Sequence, residues 1–129
     1  MPVVPDLPWT ARRPFDGPGV VLLTELRLRH LRDVPAFMAT SLRILRQVSR
    51  SPGARSALLR AEPLARSFAT VSWWDDATAM RAFARTDPHR TAMRRWAPRL
   101  SSFGNRAVPS TGRMPTVDEA LTATAAPTE

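Results

Sequence analysis

The sequence predicts one small α+β domain with a split β-α-β-β-α-β core, the ferredoxin-like arrangement. Three observations predict it. Apolar residues alternate with a period of two in four segments and recur at helical spacing in two others. These segments follow the order strand, helix, strand, strand, helix, strand over residues 19–108. The chain has 129 residues, of which 43% are hydrophobic, and this suits a single domain with one core.

Residues 1–18 are predicted to form a proline-rich extended arm, because proline lacks the N–H donor and clashes inside helices and central strands. Trp9 and Phe15 are the residues expected to hold this arm against the domain. A strand begins at Gly19, and one of its faces is almost wholly apolar while the other becomes polar halfway along. The first face carries Val20, Leu22, Thr24, Leu26 and Leu28, and the second carries Val21, Leu23, Glu25, Arg27 and Arg29.

The first helix is predicted to begin after Asp33, acting as the N-cap, and to run to about Arg50. One buried stripe at helical spacing supports it, formed by Val34, Phe37, Met38, Ser41, Leu45 and Val48. The segment Ser51-Pro52-Gly53 ends this helix. Strands over 54–60 and 67–74, joined by a turn at Glu62-Pro63, are expected to form a hairpin.

The second helix is predicted to open at Asp75-Asp76 and to be interrupted and capped again at Asp87-Pro88. Its continuation carries one stripe of His89, Met93, Trp96 and Leu100. The last strand covers 101–108. Residues 109–129 are predicted to be a tail in which Thr116–Glu119 forms a capping box that starts a short helix.

The composition excludes several kinds of chemistry. The chain has no cysteine, lysine or tyrosine, so disulfides, thiolate nucleophiles, Schiff bases and phenol acids are excluded. We expect a cytoplasmic protein, because no secretory signal precedes Thr10 and no apolar run approaches a membrane span. The net charge of +8 comes from scattered arginines, which favours a solvated basic surface over a nucleic-acid site.

The run from Thr70 to Met93 resembles the second half of small dimeric α/β-barrel proteins. In this run a strand ends in Trp74 followed by an acid, a helix carries an Ala-x-x-Ala-Phe stripe, and His89 follows about fifteen residues after Trp74. By these motifs the chain is similar to antibiotic-biosynthesis-type monooxygenases and to the spheroidene-monooxygenase-like group. The resemblance covers about 19–108. It implies a homodimer whose sheets pack face to face, with a pocket on one sheet face and helices on the other. Independently, a sheet with predicted helices on one side only has a second face to cover, and a second copy of the chain would cover it.

Three candidate catalytic residues follow. Glu25 and Arg27 lie on the polar face of the first strand, where Glu25 is a candidate general base and Arg27 a candidate oxyanion stabiliser. The alternative is a satisfied ion pair or a solvent-exposed edge. His89 can exchange protons near neutral pH and matches the histidine position of the resemblance, although a core or interface histidine would show the same pattern.

The candidate substrate-binding residues are Trp74, Thr70, Ser72, Phe37 and Asn105. The period of two places Trp74, Thr70 and Ser72 on one strand face. The match of Trp74 to the motif assigns that face to the pocket. Asn105 is either a turn or bulge residue or an amide donor to a substrate carbonyl. Two histidines without suitably spaced carboxylates predict no metal site.

The resemblance implies an enzyme of specialised, antibiotic- or polyketide-type metabolism that acts on a hydrophobic carbonyl compound without a bound cofactor. Such an oxidoreductase would oxygenate the substrate carbanion, and the same base and oxyanion clamp would also serve a cyclase or isomerase. One alternative is a haem protein with His89 or His30 as axial ligand. The residues of the haem-degrading branch, a tryptophan at Phe83 and a histidine at Met93, are absent. The other alternative is a non-catalytic small-molecule-binding dimer.

Overall fold

The computed structural model describes residues 7–13, 15 and 17–110. Its elements are β1 (Leu7–Thr10), β2 (Gly19–Leu28), α1 (Val34–Ser49), β3 (Ala54–Glu62), β4 (Ser67–Trp74), α2 (Ala77–Ala84), α3 (His89–Trp96) and β5 (Leu100–Ser110). From β2 onward they follow the predicted order, so the α+β split core is confirmed. None of the helices in these ranges is long and apolar enough to cross a bilayer. The predicted capping box at Thr116–Glu119 lies outside the described residues.

All the described strands belong to one antiparallel sheet with the order β1-β3-β4-β2-β5. The inner part of this order places β4 between β2 and β3, as the ferredoxin-like arrangement requires. Part of the predicted extended arm is a strand, because β1 pairs along the outer edge of β3. Just after β1, the Ala11 N–H donates to the Arg55 carbonyl at 2.7 Å.

Two of the three predicted helix caps form. The Asp76 carboxylate accepts the Ala79 N–H at 2.8 Å at the start of α2. Asp87 accepts the N–H of Thr91 at 3.0 Å in the first turn of α3. Asp33 stands at the N-cap position of α1 but makes no side-chain cap bond, and its carboxylate instead pairs with Arg99 at 3.2 Å.

The helices cover one face of the sheet, and the apolar face of β2 packs against them as predicted. Near α1 and α3 the core contains Leu26, Leu28, Phe37, Phe68 and Trp96, together with smaller residues. Phe37 makes edge-to-face contacts with both Phe68 and Trp96, at ring-centroid distances of 4.7 and 5.0 Å. A second cluster of buried hydrophobic residues includes Trp74 of β4 and Phe83 of α2, and Trp9 of β1 packs against it.

The opposite face of the sheet, here called the open face, is covered by none of the described helices. It has its own apolar cluster of Val21, Leu23, Val71 and Trp73, and Phe15 of the N-terminal arm packs edge-on against Trp73 at 5.4 Å. The expectation that Phe15 holds the arm against the domain is therefore confirmed.

A buried arginine joins the arm to the sheet. A bulge lies between Ala54 and Ser56 of β3, and the intervening Arg55 is only 4% exposed. Its guanidinium donates to the Asp75 carboxylate at 2.8 Å and to the carbonyls of Gly17 and Pro18 at 2.9 and 3.0 Å. The guanidinium also lies 4.9 Å from the centre of the Trp73 ring, within cation–π range. The sequence pattern did not predict this buried arginine.

The strand register corrects one prediction. Residues directly opposite one another in neighbouring antiparallel strands point to the same face. Thr24 pairs with Thr70, whereas Glu25 pairs with Ala69. Trp74, Thr70 and Ser72 therefore lie on the helix-covered face, and their predicted grouping with Glu25 and Arg27 on one pocket face is wrong.

Candidate functional site

A cavity of about 80 Å³ lies between the sheet and the helices. Most of its wall is apolar, and the larger contributors are Leu26, Phe68, Phe37, Ile44, Met93 and Trp96. Five side chains supply polar groups, namely Thr24, Ser41, Thr70, Ser72 and His89. Few polar groups in an apolar enclosure are typical of small-molecule sites. The expected site on the open face is thus replaced by one on the helix-covered face.

The sheet contributes a row of polar residues to this face. Thr24 of β2 lies between Thr70 of β4 and Asn105 of β5, since it pairs with both. Thr24 and Thr70 line the cavity, whereas Asn105 is exposed on the edge strand and is not part of the lining. Asn105 sits in a regular stretch of the β5 ladder, so the proposed bulge role is wrong.

Trp74 supports the cavity without lining it. Its side chain is completely buried and stacks against Phe83, with ring centroids 5.1 Å apart. Its Nε1–H donates to the Ser72 hydroxyl oxygen at 2.8 Å. An indole nitrogen is a donor only, so the Ser72 oxygen accepts this bond and its own hydroxyl hydrogen stays available as a donor. Ser72 lines the cavity, and Trp74 therefore fixes the orientation of a donor in the wall.

His89, the first residue of α3, is the titratable group of the described cavity lining. Its Nδ1 lies 3.1 Å from the Ala84 carbonyl oxygen. A carbonyl only accepts, so in the neutral ring Nδ1 carries the hydrogen and Nε2 keeps its lone pair. Burial lowers the pKa of His89 below its usual value, and this outweighs the opposing effect of the bond to Ala84. The ring packs on Phe83 at a centroid distance of 4.8 Å.

Glu25 and Arg27 lie apart from this cavity. Both side chains are exposed on the open face, and within the described part of the chain neither forms an ion pair. The satisfied Glu25–Arg27 pair is therefore absent there, and the alternative of a solvent-exposed edge agrees with the structure. Neither residue reaches a substrate bound next to His89.

The site residues that the sequence analysis missed are Thr24 and Ser41. Ser41 is the one polar residue in the apolar stripe of α1, and Thr24 is the one polar residue on the apolar face of β2. A single polar residue on an otherwise apolar face was therefore the feature of the sequence that could have indicated these two site residues. No cluster of three potential metal-ligating side chains occurs within residues 7–13, 15 and 17–110.

Comparisons with known proteins agree on the fold. No protein-family model and no curated protein sequence matches the chain. A structure from Nitrosomonas europaea, proposed to be an antibiotic biosynthesis monooxygenase, superposes with a TM-score of 0.63 at 17% identity, covering 81% of this chain and 99% of that one. A proposed monooxygenase from Fusobacterium nucleatum gives 0.62 at 8% identity over 81% of this chain, which spans only 51% of that protein. A heme-degrading enzyme from Listeria monocytogenes gives 0.59 at 18% identity, covering 88% and 69% of the two chains.

The chain therefore has the fold of antibiotic-biosynthesis-monooxygenase-like proteins, and the resemblance inferred from Trp74 and His89 is confirmed at the level of fold. Sequence identities this low show a shared fold but not a shared reaction, since proteins with one fold catalyse many different reactions.

Proposed function

We propose that this protein is a small monooxygenase-like enzyme that binds a small, mainly apolar carbonyl compound between its helices and sheet. The observation that carries the proposal is the arrangement of His89. One ring nitrogen is held by the Ala84 carbonyl, the other keeps a lone pair, and burial favours the neutral ring that a base requires. The monooxygenase-like names of structures with this fold support the class of reaction.

In the proposed reaction, Nε2 of His89 accepts a proton from a carbon next to the substrate carbonyl. The electron pair of the broken C–H bond moves onto the carbonyl oxygen, where the Ser72 hydroxyl donates a hydrogen bond to the developing negative charge. Molecular oxygen then oxidises this carbanion. A CH₂ group becomes a carbonyl while the second oxygen atom leaves as water, so the substrate itself supplies all the electrons.

The cavity limits the substrate. An apolar cavity of about 150 Å³ is enough to bind benzene. The cavity of about 80 Å³ therefore favours a compact substrate over a polycyclic one. A cyclisation or isomerisation would use the same deprotonation at His89 and differs only in lacking oxygen consumption.

The residues present do not fit a haem. A porphyrin is much larger than the enclosed space, and Phe83 and Met93 occupy the positions of the tryptophan and histidine expected in the haem-degrading branch. The proposed reaction therefore proceeds without haem.

The proposal includes a homodimer formed through the open face of the sheet. The exposed Glu25 and Arg27 lie on this face and would then belong to the interface instead of the active site. A role in the dimer interface agrees with the position of Glu25 and Arg27 on the sheet face opposite the cavity.

The test compares His89→Asn and Ser72→Ala with Glu25→Gln as the control on the open face. An asparagine can still donate to the Ala84 carbonyl but cannot act as a base. With a panel of small aliphatic 1,3-dicarbonyl compounds, oxygen uptake and product mass are measured. We expect His89→Asn to lower turnover by about 10² to 10⁴ and Ser72→Ala by about 10². Unchanged turnover in His89→Asn would refute the base assignment, and binding without turnover throughout the panel would favour a non-catalytic binding protein.

A further inference from the structure

The side chain of Gln47 joins three backbone groups around His89. Gln47 lies near the end of α1, and its Nε2 donates to the carbonyls of Phe83 and Thr86 at 3.2 and 3.0 Å. Its Oε1 accepts the backbone N–H of His89 at 2.8 Å. One amide therefore holds the last turn of α2, the connection after it and the first residue of α3.

The bond from the His89 N–H satisfies a donor at the start of α3, whereas the carbonyls of Phe83 and Thr86 also accept the N–H groups of Thr86 and Arg90 at 3.1 and 3.2 Å. The first N–H groups and last carbonyls of a helix have no partner within the helix. Pro88 stands at the N-cap of α3 and provides no side-chain acceptor. Gln47 supplies that acceptor from another helix. The amide orientation is also defined, since an N–H must face Oε1 and carbonyls must face Nε2.

The backbone and the ring of His89 are thus fixed to the same short region. Gln47 holds the backbone nitrogen, and Ala84 at the end of α2 holds Nδ1 of the ring. We propose that Gln47 is a positioning residue that keeps Nε2 of His89 directed into the cavity. This inference rests on the proposed function of His89 as the base.

Gln47 and Phe83 also lie beside an outer groove that adjoins the cavity. Phe83 lines the cavity and, together with Gln47, an outer groove between α1 and α2. Loss of the Gln47 bonds would let the α2–α3 connection move outward and admit water to the imidazole. The pKa of His89 would then rise towards its ordinary value, because hydration removes the penalty on the charged ring.

The charged residues next to His89 in sequence, and those of α1 that line the outer groove, do not line the cavity. His89 alone among the described cavity-lining residues is titratable. Asp87 and Arg90 flank it in sequence and are exposed, while Arg43 and Arg46 of α1 line the outer groove. A shift in the pKa of His89 after a change at Gln47 would therefore report hydration of the ring.

The test uses Gln47→Met, which keeps the length of the side chain and removes all three bonds. Arg46→Met is the matched control on the same helix. The protein has two histidines, so His30, which is exposed, provides an internal reference in ¹⁵N-edited histidine spectra. We expect the Gln47→Met variant to show a raised pKa and mixed ring tautomers for His89, and a kcat about 10- to 100-fold lower with little change in KM. The control should match the wild type.

Gln47→Glu is the second variant, used if Gln47→Met does not fold. It keeps the acceptor for the His89 N–H and removes both donors, and the same loss in kcat is expected. A folded variant with wild-type kcat and an unchanged His89 spectrum would overturn the inference. If His89→Asn is fully active while Gln47→Met still changes the His89 spectrum, the proposed catalytic role fails and the positioning of the ring stands.

Discussion

Replacing Asp75 by asparagine is expected to destabilise the fold, because it removes a negative charge that lies against a buried cation. The Arg55 guanidinium is almost completely buried and its Nε donates to Asp75 Oδ1 at 2.8 Å. An asparagine oxygen can still accept that bond, but it carries no charge. The variant therefore tests the electrostatic part of the contact and leaves its shape nearly unchanged.

The magnitude follows from the burial of the two partners. Removing one member of a fully buried ion pair typically costs about 3–5 kcal/mol. The Asp75 side chain is 36% exposed, so solvent screens part of the interaction. The carbonyls of Gly17 and Pro18 also continue to accept from Arg55. We therefore expect a loss of about 1–3 kcal/mol.

Arg13→Ala is the control. Arg13 binds the same carboxylate at 2.9 Å but is 41% exposed, and exposed pairs contribute about 0–1 kcal/mol. Urea denaturation measures the free energy of unfolding of both variants. A loss of 2 kcal/mol lowers the urea midpoint by about 1 M for an ordinary domain. Equal midpoints for Asp75→Asn and Arg13→Ala would refute the reasoning.

The same pair makes stability depend on pH. Burial alone would raise the pKa of Asp75, but the hydrogen bonds and charges of Arg55 and Arg13 outweigh burial and lower it. A carboxyl group with a lowered folded pKa stabilises the fold above its unfolded pKa, and that contribution is lost as the pH falls through the folded value. The wild type should therefore lose stability below about pH 4, and Asp75→Asn should lose less.

The remaining predictions concern His89 and assembly. Because burial lowers the pKa of His89, the unfolded chain binds a proton more readily, and stability should fall as the pH drops below about 6.5. Urea titrations at several pH values should show this slope in the wild type and not in His89→Asn; an identical slope in both would contradict the assignment. Light scattering at micromolar concentration should give twice the chain mass of 14.3 kDa, and a stable monomer would exclude the dimer.

Local patterns predicted the fold well. The period of two defined β2 and the β3–β4 hairpin, and the Asp76 and Asp87 caps marked the starts of α2 and α3. These signals depend on neighbours along the chain, so they can be read from sequence. The additional strand β1 was predicted only as an extended arm, because its pairing depends on the distant edge of β3.

The site was predicted less well, because it depends on how strands align. Periodicity shows which residues of one strand share a face, but a shift of one residue in register exchanges the faces of its neighbour. The pairing of Thr24 with Thr70 placed Ser72 beside the helices and left Glu25 on the open face. Arg55 was missed for a related reason, since the bulge in β3 interrupts the alternation that would have marked it as buried.

The strand β1 determines where the sheet could accept another strand. An unpaired edge strand presents free N–H and carbonyl groups, which makes it a template for aggregation. β1 covers one edge of the core with four residues that include Pro8, and a short strand with a proline is a poor template. The opposite edge is β5, with eleven residues and no neighbour on its outer side among the described strands. A strand from another chain, in assembly or in misfolding, would therefore pair more readily with β5 than with β1. Within β5, Gly104 and Pro109 are the residues that weaken such pairing.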